Sequence, residues 1–245
     1  MSKLFIFLTA FILMGSYFVS HSPNNNDYQL ISSFSIFLLF LPIIISMAKW
    51  LGYLKTAITL LSLGLFALLF EAQAIITGWP YGEFIYHQQI GAKVLGIVPW
   101  TVPFAWLPLV IGGVVIGYRI HKKPLFRILI ASLIMIWSDL VIDPGAVGLG
   151  FWSYLKGGEY FQVPLSNYFG WLVSSLIAQS FLYLFVKSNL KTLPPTNLVI
   201  SFYLVILFWT GVSYWLGLWP VTLIGLGLII FMIKTVYLAK SPSVS

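Results

Sequence analysis

Long apolar runs separated by short polar segments make up most of the chain. A helix that crosses a bilayer needs roughly 20 apolar residues, because each residue advances the helix by about 1.5 Å. By that criterion the pattern predicts eight membrane helices, at about 4–20, 29–48, 54–76, 98–118, 125–142, 167–187, 197–216 and 219–239. The expected fold is therefore all-α, a polytopic bundle of about eight transmembrane helices.

Two of these runs affect the helix count. The first is short enough to suggest a signal peptide, but its single flanking cation, Lys3, and the absence of a small-residue cleavage site favour a retained helix. The turn between the last two runs, at Gly217 to Pro220, is very tight, so a count of seven is the alternative. No polar or Pro/Ser-rich linker divides the sequence, and we expect a single membrane domain over residues 1–245.

The basic residues predict the orientation of the bundle. Of the 13 lysines and arginines, all but Lys93 and Lys156 fall on one side of the eight-helix arrangement. Because cytoplasmic loops carry the excess of Lys and Arg, both termini are predicted to be cytoplasmic. The long loops at about 77–97 and 143–166 would then lie on the opposite side. Their Gly, Pro, Trp and Tyr content predicts that they fold back as a lid over the bundle.

Composition excludes several classes of protein. A chain with 60% hydrophobic and 8% charged residues is far too apolar for a soluble domain. There is no cysteine, and the three histidines are scattered, so we expect no disulfide, no thiolate chemistry and no metal site. The net charge of +7 lies in short clusters between apolar runs rather than in a basic stripe, so membrane lipids and not nucleic acids are the expected partners.

The carboxylates gather on the non-cytoplasmic side. Five of the six Asp and Glu residues belong to the outer ends of the third and fifth helices or to the loops that follow: Glu71, Glu83, Asp139, Asp143 and Glu159. Glu71 and Asp139 lie inside apolar runs, about one helical turn below the outer boundary. A charged side chain inside a membrane costs several kcal/mol, so an intramembrane acid is by default a functional candidate.

Asp139 and Asp143 are four residues apart and share one face of a continuing helix. Pro144 is expected to end or disturb that helix, which would make Asp143 a boundary residue directed toward the mouth of a cavity. Carboxyls crowded into a low-dielectric pocket cannot all ionise, and we expect one retained proton to be the reagent. The structural alternative is that Asp143 and Pro144 cap a loop, while Glu71 bonds to Gln73 or to a neighbouring helix.

Aromatic residues form 18% of the chain, and many of them flank the acids. Most are explained by the aromatic belt that membrane proteins place at the interface. Those on the acid-bearing loops instead suggest a pocket for a long apolar substrate, whose ring faces can stabilise a carbocation. Asn167, at the start of the sixth helix, is a candidate to position a water molecule, as are Gln73 and Gln162. The alternative for all three is a helix cap or a hydrogen bond between helices. The predicted substrate-binding residues are Tyr81, Glu83, Tyr86, Trp100, Trp106, Trp152, Tyr160, Asn167 and Trp171.

The order of the acidic and aromatic sequence motifs resembles that in the membrane-integral carotenoid 1,2-hydratases of the CruF type, which include the related bisanhydrobacterioruberin hydratases. The resemblance is carried by Glu71 followed by "GWPYGEFIY", "GIVPWTVPFAWLPL", "SDLVIDPGAVGLGFW" and "GGEYFQVPLSNYFGW". These stretches cover about residues 70–172, and each is weak alone, whereas the ordered combination is fairly specific. The family pattern often has Phe where this chain has Tyr81, a departure that bears on substrate detail more than on reaction type.

The resemblance implies that water adds to the terminal C1–C2 double bond of an acyclic carotenoid ψ-end and gives a tertiary alcohol. Asp139 or Asp143 would donate the proton, and Glu71 or the other Asp would activate the water, with no cofactor or metal. It also implies a multi-pass protein of a prokaryotic cytoplasmic membrane, a carotenoid substrate held within the bilayer, and other carotenoid-pathway enzymes as further partners. The alternatives are a carotenoid cyclase or isomerase, a proton-coupled transporter subunit and a purely structural subunit.

Overall fold

The computed structural model describes residues 3–22, 27–190 and 193–238, and most of them are helical. Its helices are α1 (Lys3–His21), α2 (Asp27–Leu51), α3 (Tyr53–Thr77), α4 (Val102–Ile120), α5 (Pro124–Gly148), α6 (Leu165–Val186), α7 (Ile200–Trp215) and α8 (Trp219–Ile233). Seven helical segments in the described ranges are long and apolar enough to cross a membrane, and α1 supplies a shorter one, Ile6–His21. The predicted all-α bundle of eight helices is confirmed, whereas the side on which the termini lie stays a prediction.

Short strands lie in the two long connections. The connection between α3 and α4 holds β1 (Phe84–Tyr86), β2 (Lys93–Val94) and β3 (Val98–Pro99), and β4 (Trp152–Tyr154) lies between α5 and α6. β1 pairs antiparallel with β4, and β2 pairs antiparallel with β3. Single 3₁₀ turns occur at Gln88–Ile90, Lys187–Asn189 and Thr196–Val199, and a π-helical turn at Lys234–Leu238 follows α8.

The fourth helix begins at Val102, later than the predicted start at residue 98. Val98 and Pro99 are instead extended, because they pair with Lys93 and Val94. Pro103 lies in the first turn of α4, where a helix has no intrahelical acceptor for the missing N–H. The tertiary pairing of the loop therefore decides this boundary.

α4 is the central helix of the bundle. Of its membrane-spanning window, 72% is buried, and α2, α3, α5, α6 and α7 all pack against it. Two glycines allow this close packing: a side chain at Gly112 would overlap the ring of Phe202, and one at Gly117 would overlap the backbone of Arg127. In a lipid environment helices associate largely through such close van der Waals contacts, which small residues permit.

Contacts between helix ends show that the helices alternate in direction. Lys55 at the start of α3 donates a hydrogen bond to Ser188 Oγ just beyond α6, at 2.7 Å. Arg119 at the end of α4 reaches the carbonyl of Val236 beyond α8, at 3.5 Å. At the opposite end, the β1–β4 pairing joins the segments that follow α3 and α5. The cation-rich ends therefore lie together, away from the two strand-bearing connections.

The prediction that Pro144 ends the fifth helix, with Asp143 as a boundary residue, is wrong, because α5 continues through Pro144 to Gly148. A proline inside a helix deprives the carbonyl four residues earlier of its N–H donor. That carbonyl belongs to Leu140, and the hydroxyl of Tyr160 donates to it at 3.1 Å. The loop thus replaces the hydrogen bond that the proline removes, and Asp143 lies within a continuous helix.

Replacing Tyr160 by Phe is expected to lower the free energy of unfolding by about 0.5–1.5 kcal/mol, the net contribution of a typical hydrogen bond, because this bond is partly buried. The ring is kept and only the hydroxyl that reaches Leu140 is lost, so the change isolates this bond. The measurement is thermal unfolding of the purified protein in detergent. Tyr53→Phe is the control, because Tyr53 is 86% exposed. Equal stability of the two variants would show that α5 does not depend on the Tyr160 hydroxyl for its stability at Pro144.

Candidate active site

The two acid-bearing connections meet in a small sheet. In the antiparallel pairing of β1 and β4, Phe84 lies opposite Tyr154 and Tyr86 lies opposite Trp152. Because alternate residues of a strand share a face, these four aromatic side chains all point to one side of the sheet. Phe84 and Tyr154 are buried, whereas Ile85 on the other face is exposed. The sheet therefore covers the end of the bundle with an aromatic inner surface.

Asp139 and Asp143 form a buried pair on α5, one turn apart. Asp139 is 0% exposed and Asp143 is 3% exposed. Asn167, in the first turn of α6, donates from its Nδ2 to Oδ2 of each aspartate at 2.6 Å. One amide group, with two N–H bonds, thus joins both carboxyls and fixes their relative position.

Each acid that faces the lid accepts a hydrogen bond from a tyrosine of the sheet. The hydroxyl of Tyr154 donates to Oδ2 of Asp143, and the hydroxyl of Tyr86 donates to Oε1 of Glu71, both at 2.6 Å. Glu71 belongs to α3 and Asp143 to α5, so the two strands attach one lid to two helices. Lys93 also holds the lid, by donating from Nζ to the carbonyl of Tyr86 at 2.7 Å.

The two tyrosines act as hydrogen-bond donors at any physiological pH. Burial, followed by the neighbouring charge of Glu71, holds the pKa of Tyr86 well above its ordinary value. Burial and the charge of Asp143 raise the pKa of Tyr154 in the same way. A phenol that keeps its proton can only donate to the adjacent carboxylate. Each O–H therefore stabilises a negative charge on the acid that it contacts.

A cavity of about 570 Å³ opens beneath the lid. Its polar end is lined by Glu71, Asp143 and Asn167, and its remaining wall is mostly aromatic and aliphatic. Asp139 does not line the cavity and lies behind Asp143, with its Oδ1 unpaired within the described residues. The carboxyls of Glu71 and Asp143 thus lie at the cavity surface, and the carboxyl of Asp139 lies behind that of Asp143.

The structure brings most of the predicted substrate-binding residues to this cavity. Those that line it are Tyr81, Tyr86, Trp106, Trp152, Asn167 and Trp171. The other three lie apart from it. Glu83 is exposed on the lid loop, Trp100 stacks edge-on against Phe104 at 5.6 Å between ring centroids, and Tyr160 bonds to the α5 backbone.

Several residues that the structure places at the cavity are not among the nine predicted substrate-binding residues. Tyr154 and Phe84 contribute through the sheet, Phe11 and Phe18 through α1, and Trp209 through α7. The alternation in "FIY" and "WSY" is a signal for two short strands that present aromatic side chains on one face. The α1 and α7 residues carried no such signal, because every helix here is apolar on all sides.

Within the described ranges, no group of three or more His, Asp and Glu side chains is arranged to hold a metal ion. What the site can do chemically is move a proton. It has two carboxyls at the cavity surface, each oriented by a phenol, with an amide and a further carboxyl behind. The aromatic wall is suited to an apolar ligand.

The fold and the site define an integral membrane protein of many helices with a buried acid cluster at one end of its bundle. The family model described as carotenoid biosynthesis protein matches residues 28–232, from α2 into α8, and the chain belongs to this family. This confirms the resemblance found from the sequence motifs.

A curated relative is the bisanhydrobacterioruberin hydratase of Haloarcula japonica, which is 38% identical over 132 residues. The aligned part covers 52% of this chain and 43% of the relative, so the chain spans under half of that protein's length. No solved structure matches the chain.

Proposed function

We propose that this protein is a cofactor-independent carotenoid hydratase that adds water to the terminal C1–C2 double bond of an acyclic ψ-end. The observation that carries the proposal is the cavity with an aromatic wall and two carboxyls, Glu71 and Asp143, at one end. Family membership and the similarity to a hydratase support the carotenoid as substrate class. Hydration requires only a proton, a water molecule and a site that holds both near the alkene.

The first step is protonation of the alkene. A proton from an aspartic acid goes to C2, the π electrons form the new C–H bond, and a tertiary cation is left at C1. Asp143 is the proposed donor because it lines the cavity, whereas Asp139 lies behind it. Asp139 and Asp143 both accept from the single amide of Asn167, and the proposed proton is shared between these two carboxyls. General acid catalysis of this kind contributes typically about 10²–10⁴-fold in rate.

The second step is the addition of water. Glu71 lines the same cavity from α3 and is the proposed base, which takes a proton from the water as its oxygen bonds to C1. The product is a tertiary alcohol, and a proton returned from Glu71 to the aspartate pair restores the starting state. Glu71 and Asp143 line the same cavity, so this proton transfer takes place within one site. The aromatic wall stabilises the cation before water arrives.

The proposed location is the cytoplasmic membrane of a prokaryote, with both termini on the cytoplasmic side. The excess of Lys and Arg at the helix ends opposite the lid supports this orientation. The acid cluster and its lid would then lie toward the non-cytoplasmic surface.

Expression in cells that accumulate lycopene or γ-carotene tests the proposal. We expect carotenoids that gain the mass of one water and carry a tertiary hydroxyl, measured by chromatography and mass spectrometry of cell extracts. Cells with the empty vector are the control. New rings without added oxygen would point to a cyclase, and unchanged carotenoids would overturn the hydratase assignment.

A further inference from the structure

The cavity extends well beyond the acids, toward the first two helices. Its lining includes residues from the second half of α1 and from the first half of α2: Phe11, Met14, Gly15, Phe18, Ser33, Ile36 and Leu39. The acids line it from the end of α3 and the end of α5. Because the helices alternate in direction, all of these segments lie in the same half of the bundle. The cavity is therefore a channel that runs sideways at the level of the acids.

Within the described part of the chain, α7 is the helix against which α1 packs extensively. A side chain at Gly211 would overlap the side chain of Ser16, so the two helices pack closely there. Among the described residues, α1 makes no extended contact with α2. The two helices thus both line the cavity without packing closely against each other.

The exposure of the lining residues changes along this channel. At the acid end, Asn167 and Asp143 are buried. Along α1, Phe11 is 49% exposed, Met14 is 54% exposed and Phe18 is 52% exposed, although all three line the cavity. The channel is therefore open to the outside at α1, and its walls there are mostly apolar. An opening of this kind in the plane of the membrane leads to lipid and not to water.

We propose that the apolar tail of the substrate leaves the acid site between α1 and α2 and continues into the bilayer. This proposal rests on the proposed function, and it states in addition where the part of the carotenoid outside the acid site lies. A pocket of this size encloses a drug-sized ligand, and a full-length carotenoid is longer than that. Only one end of the polyene fits under the lid, so the tail must pass through an apolar opening.

α1 also gives the channel a wall that the family model does not include. The match covers residues 28–232, which begins in α2 and leaves α1 outside. The residues of α1 that line the channel therefore contact the tail, at a distance from the reacting double bond, and determine which tails are accepted. The end group is selected separately by the acids and the lid aromatics.

Gly15→Trp tests the position of the tail. Gly15 lines the cavity, and a Cβ built on it meets nothing within 4 Å, so a side chain can leave the helix there without a clash at its first carbon. A tryptophan at this position is expected to fill the channel. We expect hydration of a full-length carotene to fall at least about tenfold, equivalent to about 1.4 kcal/mol. Hydration of a short acyclic isoprenoid with the same end group is expected to stay near the wild-type rate, because it needs no tail channel.

Ala10→Trp is the matched control on the same helix, since Ala10 is exposed and does not line the cavity. If Gly15→Trp leaves hydration of the long carotene unchanged, or lowers the hydration rates of both substrates by the same factor, the tail does not run along α1. A wild-type protein that hydrates neither compound overturns the proposed function instead.

A binding measurement shows whether the carotenoid tail or another molecule, such as a phospholipid, occupies the channel. The chain has no cysteine, so Met14→Cys and Ala10→Cys each provide a single site for a fluorescent label. We expect added carotene to quench the label at residue 14 and to leave the label at residue 10 nearly unchanged. Equal quenching at both sites would overturn the proposal, as would a residue 14 label that responds only to phospholipid.

Discussion

Asp143→Asn is expected to reduce the rate of carotenoid hydration by about 10²–10⁴-fold, the usual contribution of a general acid. The amide has nearly the same shape as the carboxyl and still accepts the hydrogen bond from Tyr154, but it has no acidic proton to give to an alkene. The measurement is the amount of hydrated carotenoid formed per amount of purified protein in detergent or in vesicles. Thermal unfolding checks that the variant is folded.

Glu159→Gln is the control for this substitution. Glu159 lies on the connection after α5, is exposed, and does not line the cavity. The Glu159→Gln variant is therefore expected to be as active as the wild type. Asp139→Asn completes the series and is expected to have a smaller effect, because Asp139 acts through Asp143. An active Asp143→Asn together with an inactive Asp139→Asn would reverse the proposed roles of the two aspartates.

Asn167→Ala is expected to lower both activity and stability. The amide donates to both aspartates, so its removal leaves Oδ2 of Asp139 without a donor, at a cost of about 1–3 kcal/mol. Oδ2 of Asp143 keeps only the bond from Tyr154. Asp143 then loses its fixed position, and misplacement by about 1 Å can lower a rate by about 10²-fold. The measurements are kcat, KM and the unfolding temperature.

Two variants show whether the role of Asn167 is positional. Ser180→Ala on the same helix removes a hydroxyl that bonds only to its own turn, and wild-type activity and stability are expected. Asn167→Gln keeps the donating amide and is expected to recover part of kcat. Activity of Asn167→Ala at the wild-type level would mean that the aspartate pair does not depend on the amide bridge.

The course of α5 illustrates where local sequence rules were insufficient. A proline after Asp143 predicts a helix end, because the preceding residue is pushed out of the α region. The prediction failed because Tyr160, from a distant part of the loop, donates to the carbonyl of Leu140. No pattern around residues 140–144 indicates that donor.

The lid is a second example. The sequence predicted that the two long loops fold over the bundle, and it placed Tyr86 and Trp152 among the candidate residues. It did not predict that β1 and β4 pair, because the partners are far apart in the chain and the strands are only three residues long. That pairing selects Tyr86 and Tyr154 as the partners of Glu71 and Asp143 and directs Glu83 outward.

The sequence alone determined the class of protein, the helix count and the presence of acids inside apolar segments, because helix length and the cost of a charge in lipid are local properties. Tertiary structure decided which acids meet a common cavity, which one lies behind another and where the cavity leads. Helices that are apolar on every side carry little information about which face turns inward. Their packing, and the pairing of the two loops, therefore determine the site.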